Sequence, residues 1–151
     1  MNMIYSIKSY NYPEAYVCHI CNCKGDNLGF IKTEKEGANA ENASFRLVNG
    51  LANDCGISFE SVNFQNHYLR HENHSIKLAE NDNTDDFKKS ATFYIRAGNF
   101  GQGISFESCD KQGYYIRHKD GELRIDSSSK GRDLFKKDST FHICEPLHNH
   151  S

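Results

Sequence analysis

"ISFESVNFQNHYLRH", residues 57–71, decides the reading of this chain, because residues 104–118 nearly repeat it as "ISFESCDKQGYYIRH". In both copies, short runs of alternating apolar and polar residues flank a polar turn, the pattern of two half-buried strands in a hairpin. Both copies end on a histidine. A weaker copy lies upstream: "SIKSYNYPEAYVCH", residues 6–19, aligns without a gap to residues 58–71. Ser6, Ser9, Asn11, Tyr16 and His19 then fall on Ser58, Ser61, Asn63, Tyr68 and His71. The matching residues of the last copy are Ser105, Ser108, Tyr115 and His118, with Asp110 in place of the asparagine. A second motif follows each first one, as "ASFRLV" from Ala43, "ATFYIR" from Ala91 and "STFHIC" from Ser139. Ser6, Ser58 and Ser105 set repeat lengths of 52 and 47 residues. Self-similarity at such a period marks a chain built from copies of one supersecondary unit.

Each unit reads as about four short strands, the third being "IKLAE" from Ile76 or "ELRID" from Glu122. No window carries a helical stripe, although "NDNTDDFKK" before Ser90 has room for one helical turn. Propellers need at least four blades to close. Three units can instead close as a barrel capped by hairpins, which removes exposed sheet edges. The expected fold is therefore all-β: a β-trefoil forming one domain over residues 1–151, with units of about 4–51, 52–99 and 100–147. Phe45, Phe93 and Phe141 occupy equivalent positions and are expected to fill a shared core with Phe59, Phe106, Leu69 and Ile116. Glu60 and Arg70 match Glu107 and Arg117, and both change together in the first unit, to Lys8 and Cys18. That joint change predicts a cross-strand charge pair within the hairpin.

Composition excludes several classes of function. The chain has 151 residues, a formal net charge of −2 and interspersed signs. Bulk charge therefore gives no hold on nucleic acid. No apolar run approaches the roughly 18 residues of a membrane span. The start "MNMIYSIKSY" has no secretory apolar region. The chain is read as cytoplasmic if complete as given, and extracellular if cut from a secreted protein. "CHICNC", residues 18–23, leaves three alternatives: a soft metal site completed by Cys144, a local disulfide, or inert thiols. One crowded cluster without a second ligand pair does not fit a zinc site, so no metal and no cofactor is assigned. Asn42, Asn73 and Asn149 match the glycosylation pattern about as often as chance allows, given so many asparagines. The "GNFGQG" run ending at Gly103 lacks a strand-to-helix context and reads as a hairpin turn.

With these motifs in view, the chain resembles the arabinose-binding domain of fungal and bacterial α-L-arabinofuranosidases (the AbfB domain, carbohydrate-binding module family 42). The resemblance rests on "GISFESVNFQNHYLRH…FKKSATF" and "GISFESCDKQGYYIRH…FKKDSTF" and spans about residues 4–146. It implies a β-trefoil without catalytic machinery, which binds arabinofuranose side chains of hemicellulose in shallow pockets, one per unit. The pocket residues it implies are the histidine ending "YLRH" and the aspartate opening "DATF". The last unit keeps both, as His118 and Asp138. The middle unit has His71 with Ser90, and the first has His19 with Asn42, where the aspartate belongs.

A carboxylate accepts strong charge-assisted hydrogen bonds from adjacent sugar hydroxyls, and a neutral imidazole both donates and accepts. Tyr114 or Tyr115 is expected to cover the apolar face of the sugar. A repeated histidine also has a structural reading, in which it satisfies a loop; that reading carries more weight for His19 than for His118. The leading reading is a monomeric, non-catalytic domain whose partner is an arabinose-containing glycan. The alternative is a stand-alone protein-interaction module whose sugar pockets have decayed.

Overall fold

The computed structural model describes residues 3–147, so Asn149 lies outside the described residues. It holds a sheet of twelve antiparallel strands. They are β1 (Met3–Ser9), β2 (Ala15–Cys21), β3 (Asn27–Thr33), β4 (Phe45–Asn49), β5 (Ile57–Ser61) and β6 (His67–Glu72), then β7 (Ser75–Glu80), β8 (Phe93–Ala97), β9 (Ile104–Ser108), β10 (Tyr114–Lys119), β11 (Glu122–Ser127) and β12 (Phe141–Cys144). The all-β expectation holds. Two six-residue helices interrupt it: α1 (Asp85–Ser90) and α2 (Asp133–Asp138).

Six strands close a ring. Going round it, β1 pairs β4 (Tyr5↔Phe45), β4 pairs β5 (Phe45↔Ser61), and β5 pairs β8 (Ile57↔Phe93). Then β8 pairs β9 (Phe93↔Ser108), β9 pairs β12 (Ile104↔Phe141), and β12 returns to β1 (Phe141↔Ser9). The remaining strands form three hairpins, β2–β3, β6–β7 and β10–β11. These hairpins meet one another at Leu28↔Lys77, Ser75↔Arg124 and Glu122↔Phe30. The ring has no free edge to recruit another strand.

Alternation along the strands sends one face of each into a single core. Phe45, Phe93 and Phe141 are fully buried, and Phe59, Phe106, Leu69 and Ile116 are at most 4% exposed. Phe59 is central: its ring centroid lies 5.1 Å from that of Phe106, 5.9 Å from Phe93 and 6.3 Å from Phe45. Each such phenylalanine contributes roughly 1.5–3 kcal/mol through burial alone. The "GNFGQG" run is a turn between β8 and β9, closed by the Gly98 N–H donating to the Gly103 carbonyl at 3.0 Å. Gly103 has φ +64°, and a Cβ there would lie 2.6 Å from the Phe141 carbonyl oxygen, so this position admits only glycine.

Two sequence expectations need correction. The first concerns helix: α1 forms where one turn was foreseen, but α2 forms where none was. Thr84 caps α1 by accepting from the Phe87 N–H at 3.1 Å, whereas α2 begins at Arg132 with no side-chain cap. The second concerns the charge pair. Glu60 binds Arg46, its direct partner across β4–β5, at 3.3 Å, and Glu107 binds Arg96 at 2.8 Å. Arg70 and Arg117 instead reach the ends of the two helices. Across β5–β6, Glu60 stands opposite Tyr68 rather than Arg70.

Candidate functional site

The two helices share one geometry. Each ends under a strand arginine: Arg70 lies over the Phe87 ring at 5.0 Å and Arg117 over the Phe135 ring at 5.6 Å. The last residue of each helix meets that arginine. Arg70 Nε donates to Ser90 Oγ at 3.0 Å, and Arg117 Nη2 donates to Asp138 Oδ2 at 2.5 Å. Arg117 is also held by Asp126 Oδ2 at 3.0 Å and by the His118 carbonyl at 3.0 Å. In the first unit Cys18 stands in place of the arginine. The charged network is there replaced by an apolar cluster of Cys18, Ala38 and Ala43 with Tyr16, Ile20, Phe30 and Leu147. Burial pushes the Cys18 thiol up to about 12.

His118 and Asp138 come together, with Nε2 and Oδ1 3.5 Å apart. Asn11 joins them more tightly: its Nδ2 donates to Asp138 Oδ1 at 2.8 Å, and its Oδ1 lies 2.8 Å from His118 Nε2. The second contact assigns the proton of the neutral ring to Nε2 and leaves Nδ1 as an acceptor. Burial lowers the His118 pKa below its ordinary value; the Asp138 charge opposes this and Arg117 reinforces it. The imidazole is therefore neutral at pH 7. The exposed ring of Tyr12 stands edge-on to it, with centroids 5.3 Å apart.

Sequence reasoning missed Asn11 and Tyr12 because both lie on the β1–β2 turn, more than a hundred residues from His118. Tyr115, the expected cover, is misplaced. It lies three positions before His118 on β10 and so faces the other side of the strand, where it stands between Glu107 and Asp126. Tyr114 packs against the core and the His74 ring.

Equivalent joints recur elsewhere. His71 Nε2 meets Asp110 Oδ1 at 2.7 Å and Ser108 Oγ at 3.3 Å. Burial alone would raise the Asp110 carboxyl, but the hydrogen bond and charge of His71, helped by Ser108, hold it below its ordinary value. His19 Nε2 lies 3.3 Å from Ser61 Oγ, its Nδ1 lies 3.1 Å from Asn27, and its ring approaches Phe64 at 5.7 Å. Each histidine thus reaches into the Ser-x-Asn or Ser-x-Asp turn of a neighbouring repeat. All three are nearly buried, and each is held in such a joint. No hydrogen bond joins His71 to Ser90, which binds Arg70 and the Phe87 carbonyl. His19 meets Asn42 only through the backbone, its N–H donating to the Asn42 carbonyl at 3.0 Å, while the Asn42 side chain bonds Asn39 N–H and the Gly37 carbonyl.

The His118 joint opens into a large recess. It measures about 620 Å³, has His118, Asp138 and Arg117 at its base, and is walled by Tyr12, Ile31, Lys32 and Leu134. That volume falls in the range of small-ligand sites. Its charges balance: Arg117, Lys32 and Lys119 against Asp138, Glu36 and Asp120. Among the described residues no three His, Cys, Asp or Glu side chains converge as a metal would need, and all six cysteines are free thiols.

The model of the Alpha-L-arabinofuranosidase B (ABFB) domain matches residues 5–143. The chain belongs to this family. An ABFB-domain relative, the alpha-L-arabinofuranosidase B of Aspergillus oryzae, is 44% identical over 63 residues, 42% of this chain and 12% of that protein. The enzyme of the same name from Penicillium canescens is 36% identical over 88 residues, 58% of this chain and 19% of that protein. Among solved structures, an arabinofuranosidase complexed with arabinofuranosyl-alpha-1,2-xylobiose superposes with a TM-score of 0.87 at 28% identity, over 98% of this chain and 32% of that one. The ABFB domain described here thus corresponds to a minor part of each relative's length.

Proposed function

We propose that this ABFB domain is a β-trefoil that binds carbohydrate without catalysis, seating an arabinofuranose side chain, or a closely related furanose, in the recess above His118 and Asp138. The ring of six strands capped by three hairpins supports the trefoil reading, with units of about 4–51, 52–99 and 100–147 forming one domain. The observation that carries the function is the fixed acceptor pair at the base of the recess. Asp138 is oriented by Arg117 and Asn11, and the neutral His118 ring is locked with one nitrogen free to accept. Both can take hydroxyl protons, and Tyr12 offers the ring face that Tyr115 does not.

The charge-balanced walls suit a neutral sugar. Asp138 is held by the charged Arg117 and the neutral His118, which fixes its carboxylate as an acceptor. Ser90 beside Arg70 and Asn42 beside the apolar cluster give weaker counterparts, so the sites at His71 and His19 rank below. Binding to one open pocket is weak, because hydroxyls only exchange water partners for protein ones. The domain acts as a monomer, and its partner is an arabinose-bearing polysaccharide.

Affinity electrophoresis tests this. The chain should be retarded in gels containing arabinoxylan or debranched arabinan relative to a plain gel, and Asp138→Ala should remove most of the retardation. Equal mobility of the unmodified chain in all three gels would refute sugar binding, and undiminished retardation of Asp138→Ala would overturn the assignment of the site.

A further inference from the structure

The recess above His118 does not end at Leu134. That side chain is 64% exposed and also walls a second recess of about 430 Å³, lined by Arg117, Ser129, Arg132, Leu134 and Phe135. The two cavities share Arg117 and Leu134, so they adjoin. Their charges differ in kind. Three acids balance three bases around the first, whereas among the described residues no acid lines the second. Arg117 is already neutralised there by Asp126 and Asp138. Arg132 is not: it is exposed and makes no side-chain hydrogen bond or ion pair with any described residue. Asp133, next in the chain, does not line the cavity.

An unpaired guanidinium, an apolar wall of Leu134 and Phe135, and the Ser129 hydroxyl together match one chemistry: a sugar ring bearing a carboxylate. The planar fork of arginine binds a carboxylate through two parallel hydrogen bonds. We propose that the second recess takes a hexuronate carried on the same glycan, next to the neutral residue seated above His118. This rests on the carbohydrate reading and extends it: the domain would select acidic, arabinose-bearing polysaccharide over neutral polysaccharide of the same backbone.

Titration calorimetry of the full chain at low ionic strength decides the matter, with three probes: a neutral arabinofuranosyl oligosaccharide, its uronate-bearing counterpart, and the methyl ester of that uronate. The uronate-bearing probe should bind about two- to fivefold more tightly than the neutral one, the gain expected of an exposed ion pair. The ester should match the neutral probe. In Arg132→Ala the difference between probes should vanish; Arg132 contributes only backbone to α2, so this variant keeps the fold. Equal affinity of the unmodified chain for the acidic and neutral probes would overturn the proposal while leaving the first recess intact. So would a preference that survives in Arg132→Ala. Binding of the acidic probe alone, lost in Arg132→Ala, would uphold the second recess and sink the neutral-sugar pocket. No binding of any probe would refute both.

Discussion

Replacing Asp138 by Asn preserves the shape of the helix end and removes its charge. Arg117 has a side chain only 9% exposed and is held between two acids, Asp138 and Asp126. Breaking a buried pair by removing one partner costs about 3–5 kcal/mol when the remaining charge is stranded. Here Asp126 stays in place at 3.0 Å, and an asparagine oxygen can still accept from Arg117. The loss should therefore fall to about 2 kcal/mol for Asp138→Asn and about 3 kcal/mol for Asp138→Ala. In a chain of this size that corresponds to a fall in Tm of roughly 4–12 °C across the two variants. Ser90→Ala is the matched control. It removes one neutral acceptor from Arg70, which keeps Glu72 at 3.6 Å, and should cost only about 1 kcal/mol. Urea melts followed by near-ultraviolet circular dichroism give the three values under one set of conditions. Because the Asp138 charge raises the His118 pKa against the effect of burial, its loss should also move the His118 titration further down, as read from its imidazole proton shifts. Asp138→Asn within about 0.5 kcal/mol of the unmodified protein, the range of an ordinary surface change, would refute the reasoning. An upward shift of His118 would do the same.

Tyr12→Ala should weaken sugar retardation strongly with little loss of stability, since the side chain is 58% exposed; parallel gels and thermal melts separate the two effects. Acid should destabilise the fold in two stages. Folded His118 and His19 titrate below the ordinary 6.5, so the unfolded chain binds more protons just below that pH. Their contribution is complete above about 6.5 and declines as pH falls through their folded values. Asp110, held below the ordinary 3.8, adds a second loss as pH falls below that value, and a Tm that stays level from pH 7 to pH 3 would contradict both stages. Cys18, buried with its thiol pushed up to about 12, should resist a thiol reagent at pH 8 until the chain unfolds, while the exposed Cys21 and Cys23 react at once; a thiol count against time checks this.

The sequence was most legible where physics is periodic. Phe45, Phe93 and Phe141 recur because each closes the same strand junction, and all three are fully buried. The pairing of His118 with Asp138 was also readable, through the conjunction of two motifs in one unit. The contribution of Asn11 and Tyr12 was not. Aligning repeats shows which residues are alike; it is silent on which repeat touches which. The clue lay in the recurrence of Ser9-x-Asn11, Ser61-x-Asn63 and Ser108-x-Asp110, whose partners are histidines from other repeats. The Glu60–Arg70 expectation failed for a related reason. Residues that change together need not touch, and here each belongs to a different interaction, one with Arg46 and the other with the end of α1. Helix α2 escaped notice because a six-residue helix without a side-chain cap carries almost no local signal, although its "FKK" matches that of α1.

Asn11 and Asp138 are 127 positions apart in the chain. A growing polypeptide therefore has no finished recess until nearly the whole repeat array has been synthesised and the last stretch has found the first. Bonds that span such distances form late and slowly, so the recess is complete only once the first and last strands have met.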